Sequence, residues 1–148
     1  SIEDFDAAIF LDPKNAFFLK NKCYALEQIE SYGEAVKTCT AAIKIAPRFA
    51  WAYNIRGRCY ISLNQNDKAL KDFSKAISLD DSEAEFFINR GWLHMKLDKL
   101  ADAEVDTIKA STLDPSNKSA MEQLVKIYMA KDEIPKAVEI EKMLDGMR

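Results

Sequence analysis

The sequence predicts an all-α chain of stacked helix-turn-helix repeats, and three observations predict it. Residues recur at a period of 34, Gly57 falling on Gly91, and self-similarity at one fixed period is the mark of a repeat architecture. The recurring residues are small where helices have to approach closely: Ala35, Ala69, Ala103 and Ala137 form one column, and Ala42, Ala76 and Ala110 a second that ends in Leu144. The 148 residues are 48% hydrophobic and 30% charged, with four glycines and four prolines. Such a composition suits helices rather than disorder or a glycine-rich β fold.

The elements follow in chain order. A helix over about 1–12 is closed by "LDP" at 11–13, since proline stops a helix within a residue or two. Ser31-Tyr32-Gly33-Glu34 has the Ser-x-x-Glu form of a capping box and opens the next helix but one, which "IAP" at 45–47 closes. Residues 50–63 and 83–97 carry apolar side chains at i, i+3, i+4 and i+7 and read as the first helices of two repeats; 66–79 and 100–113 read as their second helices. Ser82-Glu83-Ala84-Glu85 is a second candidate capping box, and "LDP" at 113–115 a second stop. Pro135 fits the first turn of a last helix opened by Asp132. Arg56-Gly57 and Arg90-Gly91 lie inside first helices, where glycine costs about 1 kcal/mol relative to alanine. Their recurrence marks them as packing glycines, at a place that Cys23 and Val125 fill in the flanking periods. A bulky column runs Leu19, Tyr53, Phe87, Met121 and another Leu26, Tyr60, His94, Tyr128.

Several function classes are disfavoured. A net charge of −3 and a pI near 5.3 give no electrostatic footprint for nucleic acid, and no apolar run approaches the roughly 20 residues that span a bilayer. The odd count of cysteines, Cys23, Cys39 and Cys59, cannot pair completely within one chain, and the spacings match no metal-ligand signature. They read as small core residues in a reducing compartment, which places the chain in the cytoplasm. The single histidine, His94, sits in a packing column, so no Ser/His/Asp or Cys/His arrangement is expected around it. The Asp-rich "LDDSEAE" at 79–85 reads as a turn with helix N-terminal charges rather than a calcium loop. No catalytic residue, metal site or cofactor is expected.

The columns resemble the tetratricopeptide repeat. Tyr53, Gly57, Tyr60, Ala69, Phe73 and Ala76 stand at that family's spacing, as do Phe87, Gly91, Ala103, Ala110 and Pro115, with His94 in place of the usual aromatic. The resemblance spans the chain as a single array 1–148: a lone second helix of a partial repeat over 1–15, then repeats at 16–49, 50–83, 84–117 and 118–148. It implies a right-handed α-solenoid whose first helices line a concave groove that binds a peptide segment of a partner protein. The groove residues are those of the first helices not used in packing columns. They are Phe17, Lys20, Asn21, Tyr24, Glu27 and Gln28 in the first repeat, and Trp51, Asn54, Ile55, Arg58, Ile61 and Ser62 in the second. The third offers Glu85, Ile88, Asn89, Trp92, Met95 and Lys96, and the fourth Ser119, Glu122, Gln123, Lys126, Met129 and Ala130. Both tryptophans and the amides Asn21, Asn54, Asn89 and Gln123 fall here, so the groove is expected to hold a ligand's backbone by amides. Trp92 is expected at the height of Arg58 and Lys126, one repeat to either side.

Chaperone-tail receptors of this family hold a C-terminal carboxylate with a Lys/Asn/Asn/Lys/Arg clamp. Here those places carry Lys20, Tyr24, Ile55, Glu85 and Asn89, or one repeat on Asn54, Arg58, Asn89, Ser119 and Gln123; one residue of five matches in each register. Such a tail is not the expected ligand. Opening on Ser1 and on a second helix, the chain reads as a slice of a longer array, with room for a segment removed before it. Its bare ends, Ile2, Phe5, Ala8 and Ile9 at one and Ile140, Met143 and Leu144 at the other, predict self-association as an alternative role: a structural assembly unit.

Overall fold

A computed structural model describes residues 1–147. Among them it contains nine α-helices and no strand. In order these are α1 (Ile2–Leu11), α2 (Ala16–Gln28), α3 (Tyr32–Ile45), α4 (Ala50–Ser62), α5 (Asn66–Leu79), α6 (Ala84–Lys96), α7 (Leu100–Leu113), α8 (Lys118–Ala130) and α9 (Ile134–Gly146). They fall into two compact units, Ser1–Asp80 and the remainder from Asp81 onward. In the first, α2 packs on α3 and α4 on α5, with α4 also against α2 and α3. In the second, α6 packs on α7 and α8 on α9, with α8 also against α6 and α7.

Small residues set how closely each pair approaches. Ala35, Ala42, Ala69, Ala76, Ala103, Ala110 and Ala137 are fully buried. A Cβ added to Gly57 would lie 2.7 Å from the Phe73 ring of α5, and one added to Gly91 would lie 2.9 Å from Thr107 Oγ1 of α7. The arginine before each glycine has its own task. Arg56 donates from Nε and Nη2 to Asp72 Oδ2 and Oδ1, at 2.7 and 2.8 Å. Arg90 does the same to Asp106, at 2.8 and 2.7 Å. Asp72 and Asp106 are buried, so each fork is a charge-assisted clamp across one helix pair, 16 residues apart in sequence both times.

The turns repeat as well. Glu30, Asn64, Asp98 and Asp132, one period apart, all have positive φ, 57–61°. The next residue's N–H reaches back to close the first helix: Ser31 to Leu26, Gln65 to Tyr60, Lys99 to His94 and Glu133 to Tyr128. This is a left-handed helix stop made without glycine.

Some expectations need correction. Neither candidate capping box forms: Ser31 is the N-cap of α3 but makes no side-chain cap bond, and Glu83, not Ser82, caps α6. Glu34 instead accepts from Lys37 at 2.8 Å. The capping box lies at Ser1 and Asp4. Asp132 takes the left-handed turn, so Glu133 caps α9. The ends are less bare than expected: Ile2 and Ile9 pack on core clusters of the first unit, Ile140 packs on one in the second, and Leu144 is buried. Finally, the cysteines are not three separate core thiols. Cys23 and Cys39 are joined by a disulfide, and only Cys59 is free. An odd count rules out complete pairing, not one pair.

Candidate interaction faces on the first helices

On the first unit the expected groove residues divide into exposed and buried sets. Phe17 and Tyr24 on α2 are exposed. Lys20 lies 4.6 Å from the Phe17 ring, and burial pushes its ammonium below the usual lysine range. Asn21 and Trp51 are half-buried. Asn54 and Ile55, however, are buried at 0% and 2% exposure, and Ile55 belongs to the core cluster of Cys23, Leu26 and Cys59. Buried in this way, these two present no surface to a ligand. Arg58 pairs through Nε with Glu27 at 2.7 Å, tying α4 to α2.

On the second unit α6 and α8 form a shallow cleft of about 180 Å³. Ile88, Trp92 and Met95 line it from α6, and Ser119, Glu122, Gln123 and Lys126 from α8. Trp92 is 42% exposed, and Lys96 Nζ lies 5.5 Å from its ring, a cation–π distance. Gln123 is buried and donates from Nε2 to the Ile88 carbonyl at 3.3 Å, so it fixes the spacing of the two helices. Asn89 is half-buried. Of the expected site residues, Ile88, Trp92, Gln123 and Lys126 thus meet in one place, and Lys96 stands over its indole.

His94 lies between α6 and α7, its Nε2 3.7 Å from Asp106 and its Nδ1 buried with no hydrogen-bond partner. Burial lowers its pKa below the ordinary histidine value, against the opposing pull of Asp106. A neutral imidazole filling an aromatic's place follows. Among the described residues no group of three or more His, Cys, Asp or Glu side chains is arranged to hold a metal ion. No helix there is long and apolar enough to cross a membrane. The Arg–Asp forks and the cysteine pair escaped the sequence reading. The signal of the forks was present in the sequence, since Arg56 and Asp72 recur one period on as Arg90 and Asp106.

Comparison with known proteins bears on these faces. A tetratricopeptide repeat family model matches residues 50–82. Hsp70-Hsp90 organizing protein 1 of Glycine max is 32% identical over 114 residues, 76% of this chain and 20% of that protein. The chain spans 16%, 20% and 17% of the length of three such curated relatives. Among solved structures, MamA superposes with a TM-score of 0.84 at 19% identity, covering 95% of this chain and 82% of MamA. The first such domain of Spaghetti (RPAP3), solved bound to the HSP90 peptide SRMEEVD, superposes with a TM-score of 0.77 at 27% identity, covering 82% of this chain and 96% of that one.

Proposed function

We propose that this chain, which belongs to the tetratricopeptide repeat family, is a non-catalytic interaction module that binds a peptide segment of a partner protein on its exposed first-helix faces. The repeats 16–49, 50–83, 84–117 and 118–148 act as one array in this reading, in the cytoplasm. The observation that carries it is the α6–α8 cleft. Small-molecule pockets run to roughly 300–1,000 Å³, so about 180 Å³ suits a single side chain of a larger ligand. Its lining has an apolar wall, Ile88, Trp92 and Met95, facing Ser119, Glu122 and Lys126. Partly exposed tryptophan beside cations is a common composition for an interface hot spot. The relatives that bind peptides support the same class of function.

The ligand differs from the acidic tail that RPAP3 holds. The places of that family's carboxylate clamp carry Lys20, Tyr24, Ile55, Glu85 and Asn89 in the sequence, so one residue of five matches, and Ile55 is buried. The test is selection from a phage-displayed peptide library on the folded chain, followed by titration of the selected peptides. Trp92→Ala weakens them at least tenfold while the melting temperature stays within about two degrees, and SRMEEVD does not bind. A large loss of melting temperature with unchanged peptide affinity retires the reading.

A second reading, self-association, is favoured by one observation. Phe10 and Leu11 at the end of α1 are 87% and 83% exposed, side by side. Sedimentation that stays monomeric at high concentration, and is unmoved by Phe10→Glu, rejects it.

A further inference from the structure

We propose that the first helix pair, α2–α3, is a reversible thiol–disulfide device, in which the Cys23–Cys39 bond fastens the two helices and its reduction loosens them while the α6–α7 pair stays closed. The inference comes from an internal control. One period along from Cys23 and Cys39 stand Gly57 and Phe73. At those two places the contact is one of shape, the ring of Phe73 filling the space over a residue with no side chain. In α2–α3 neither the glycine nor the ring is present, and a disulfide bridges the same two places, 16 residues apart. Both cysteines are fully buried, in one cluster with Leu26, Ala35, Ile55 and Cys59. Two thiol sulfurs cannot lie as close as two bonded ones, so reduction pushes α2 and α3 apart at the point where the next pair is tightest.

The bridge is protected from its neighbour. Burial, reinforced by the charge of Glu27, pushes the Cys59 thiol up to about 12. It therefore stays protonated and cannot attack the disulfide, since the thiolate is the nucleophile. Reduction needs an external dithiol, which reaches the buried sulfurs when α2 opens from α3. One of its thiolates attacks one cysteine sulfur, breaking the Cys23–Cys39 bond and releasing the other cysteine as a thiolate; its second thiolate then attacks the reductant's own sulfur in this mixed disulfide and expels the first cysteine. The protein gains two electrons and two protons as two thiols, and the reductant leaves as a cyclic disulfide. Oxidised glutathione runs the reverse step by accepting the two electrons. Tyr24 follows Cys23 on α2 and is exposed, so loosening reaches the candidate face; this last clause alone rests on the peptide-binding reading.

The test uses the full chain and no peptide, so it stands or falls apart from that reading. After incubation with oxidised glutathione, denaturation and alkylation with iodoacetamide label one cysteine; after dithiothreitol they label three. Dithiothreitol lowers the unfolding midpoint by roughly 5–10 °C and speeds hydrogen exchange in α2–α3 at least tenfold, with α6–α7 unchanged. The double variant Cys23→Gly/Cys39→Phe, which copies the neighbouring pair, loses the response to reductant, and Cys59→Ala keeps it. Three labelled cysteines after glutathione treatment overturn the proposal. So does α2–α3 exchange that reduction leaves unmoved in both the native chain and Cys59→Ala.

Discussion

Helices α2 and α3 and helices α4 and α5 are drawn together at the same two places in the repeat, yet the side chains that do it share no chemistry. One pair has Cys23 bonded to Cys39, the other Gly57 under the ring of Phe73. The residues just before them differ too. Arg56 forks onto Asp72 and also donates to Thr40 Oγ1 of α3 at 3.0 Å. In the first pair those places hold Lys22 and Thr38; Lys22 turns outward to Asp6 of α1, and Thr38 donates to its own helix at the Glu34 carbonyl. A repeat position thus prescribes a distance between backbones, and leaves open whether shape, charge or a covalent bond holds it. The first pair has a covalent bond at these places, whereas the second is held by a ring and an ion pair, and its arginine reaches across to α3 as well.

The largest effect that tests this contrast is at the fork. Asp72→Ala leaves the guanidinium of Arg56 half-buried without its carboxylate, and removing one partner of a buried pair costs about 3–5 kcal/mol. Thr38→Ala, the matching change in the first pair, shifts stability by no more than about 0.5 kcal/mol, as surface changes do. Urea unfolding of the two variants measures both. Equal small losses would mean that the fork adds little to α4–α5 and that shape alone holds it.

Glycine gives an intermediate effect of opposite sign in the two pairs. Gly57→Ala gains about 1 kcal/mol of helix propensity. Its Cβ, however, meets a fully buried ring at 2.7 and 2.9 Å, and overpacking costs typically 1–3 kcal/mol. Gly33 is exposed in the first turn of α3, with nothing within 4 Å of an added Cβ. Gly33→Ala should therefore stabilise by roughly 0.5–1 kcal/mol. Thermal melts that move the same way for both would break the assignment of Gly57 as a contact point.

These two glycines also mark what the sequence could tell. A column of small residues is legible because a larger side chain there forces helices apart, so the helices among the described residues and their pairings follow from Gly57, Gly91 and the alanines. The forks were harder to read, since Arg56 and Asp72 become neighbours only once the two helices are in register. The candidate site was legible in part. Trp92, Ile88, Gln123 and Lys126 share one cleft because α6 and α8 lie against each other. Asn54 and Ile55 occupy the same helical face one repeat earlier, but are covered; helical spacing gives a direction around the axis, not the depth of what lies over it. The cysteine pair was hidden for a related reason. Each cysteine matched a packing column, and packing accounts for a buried sulfur as readily as bonding does.

The smallest effect concerns the turns that end α2 and α4. Glu30 and Asn64 occupy the same place with φ of 61° and 57°, and each N–H bonds back to a carbonyl at 2.9 Å, of Glu27 and Ile61. Both are exposed, so burial does not separate them and backbone preference does. A left-handed residue with a side chain costs about 1–2 kcal/mol, which asparagine tolerates better than glutamate. Glu30→Asn should then stabilise the first unit by about 0.5 kcal/mol, and Asn64→Glu should destabilise it by a similar amount. Urea midpoints at unchanged slope resolve a difference of this size when the two variants are run beside the native chain under oxidising conditions. If Asn64→Glu costs the expected amount while Glu30→Asn gains nothing, the strain at Glu30 is offset within α2–α3. Repeating the pair of measurements in dithiothreitol then asks whether the disulfide is what offsets it: a gain that appears only on reduction places the compensation in the Cys23–Cys39 bond.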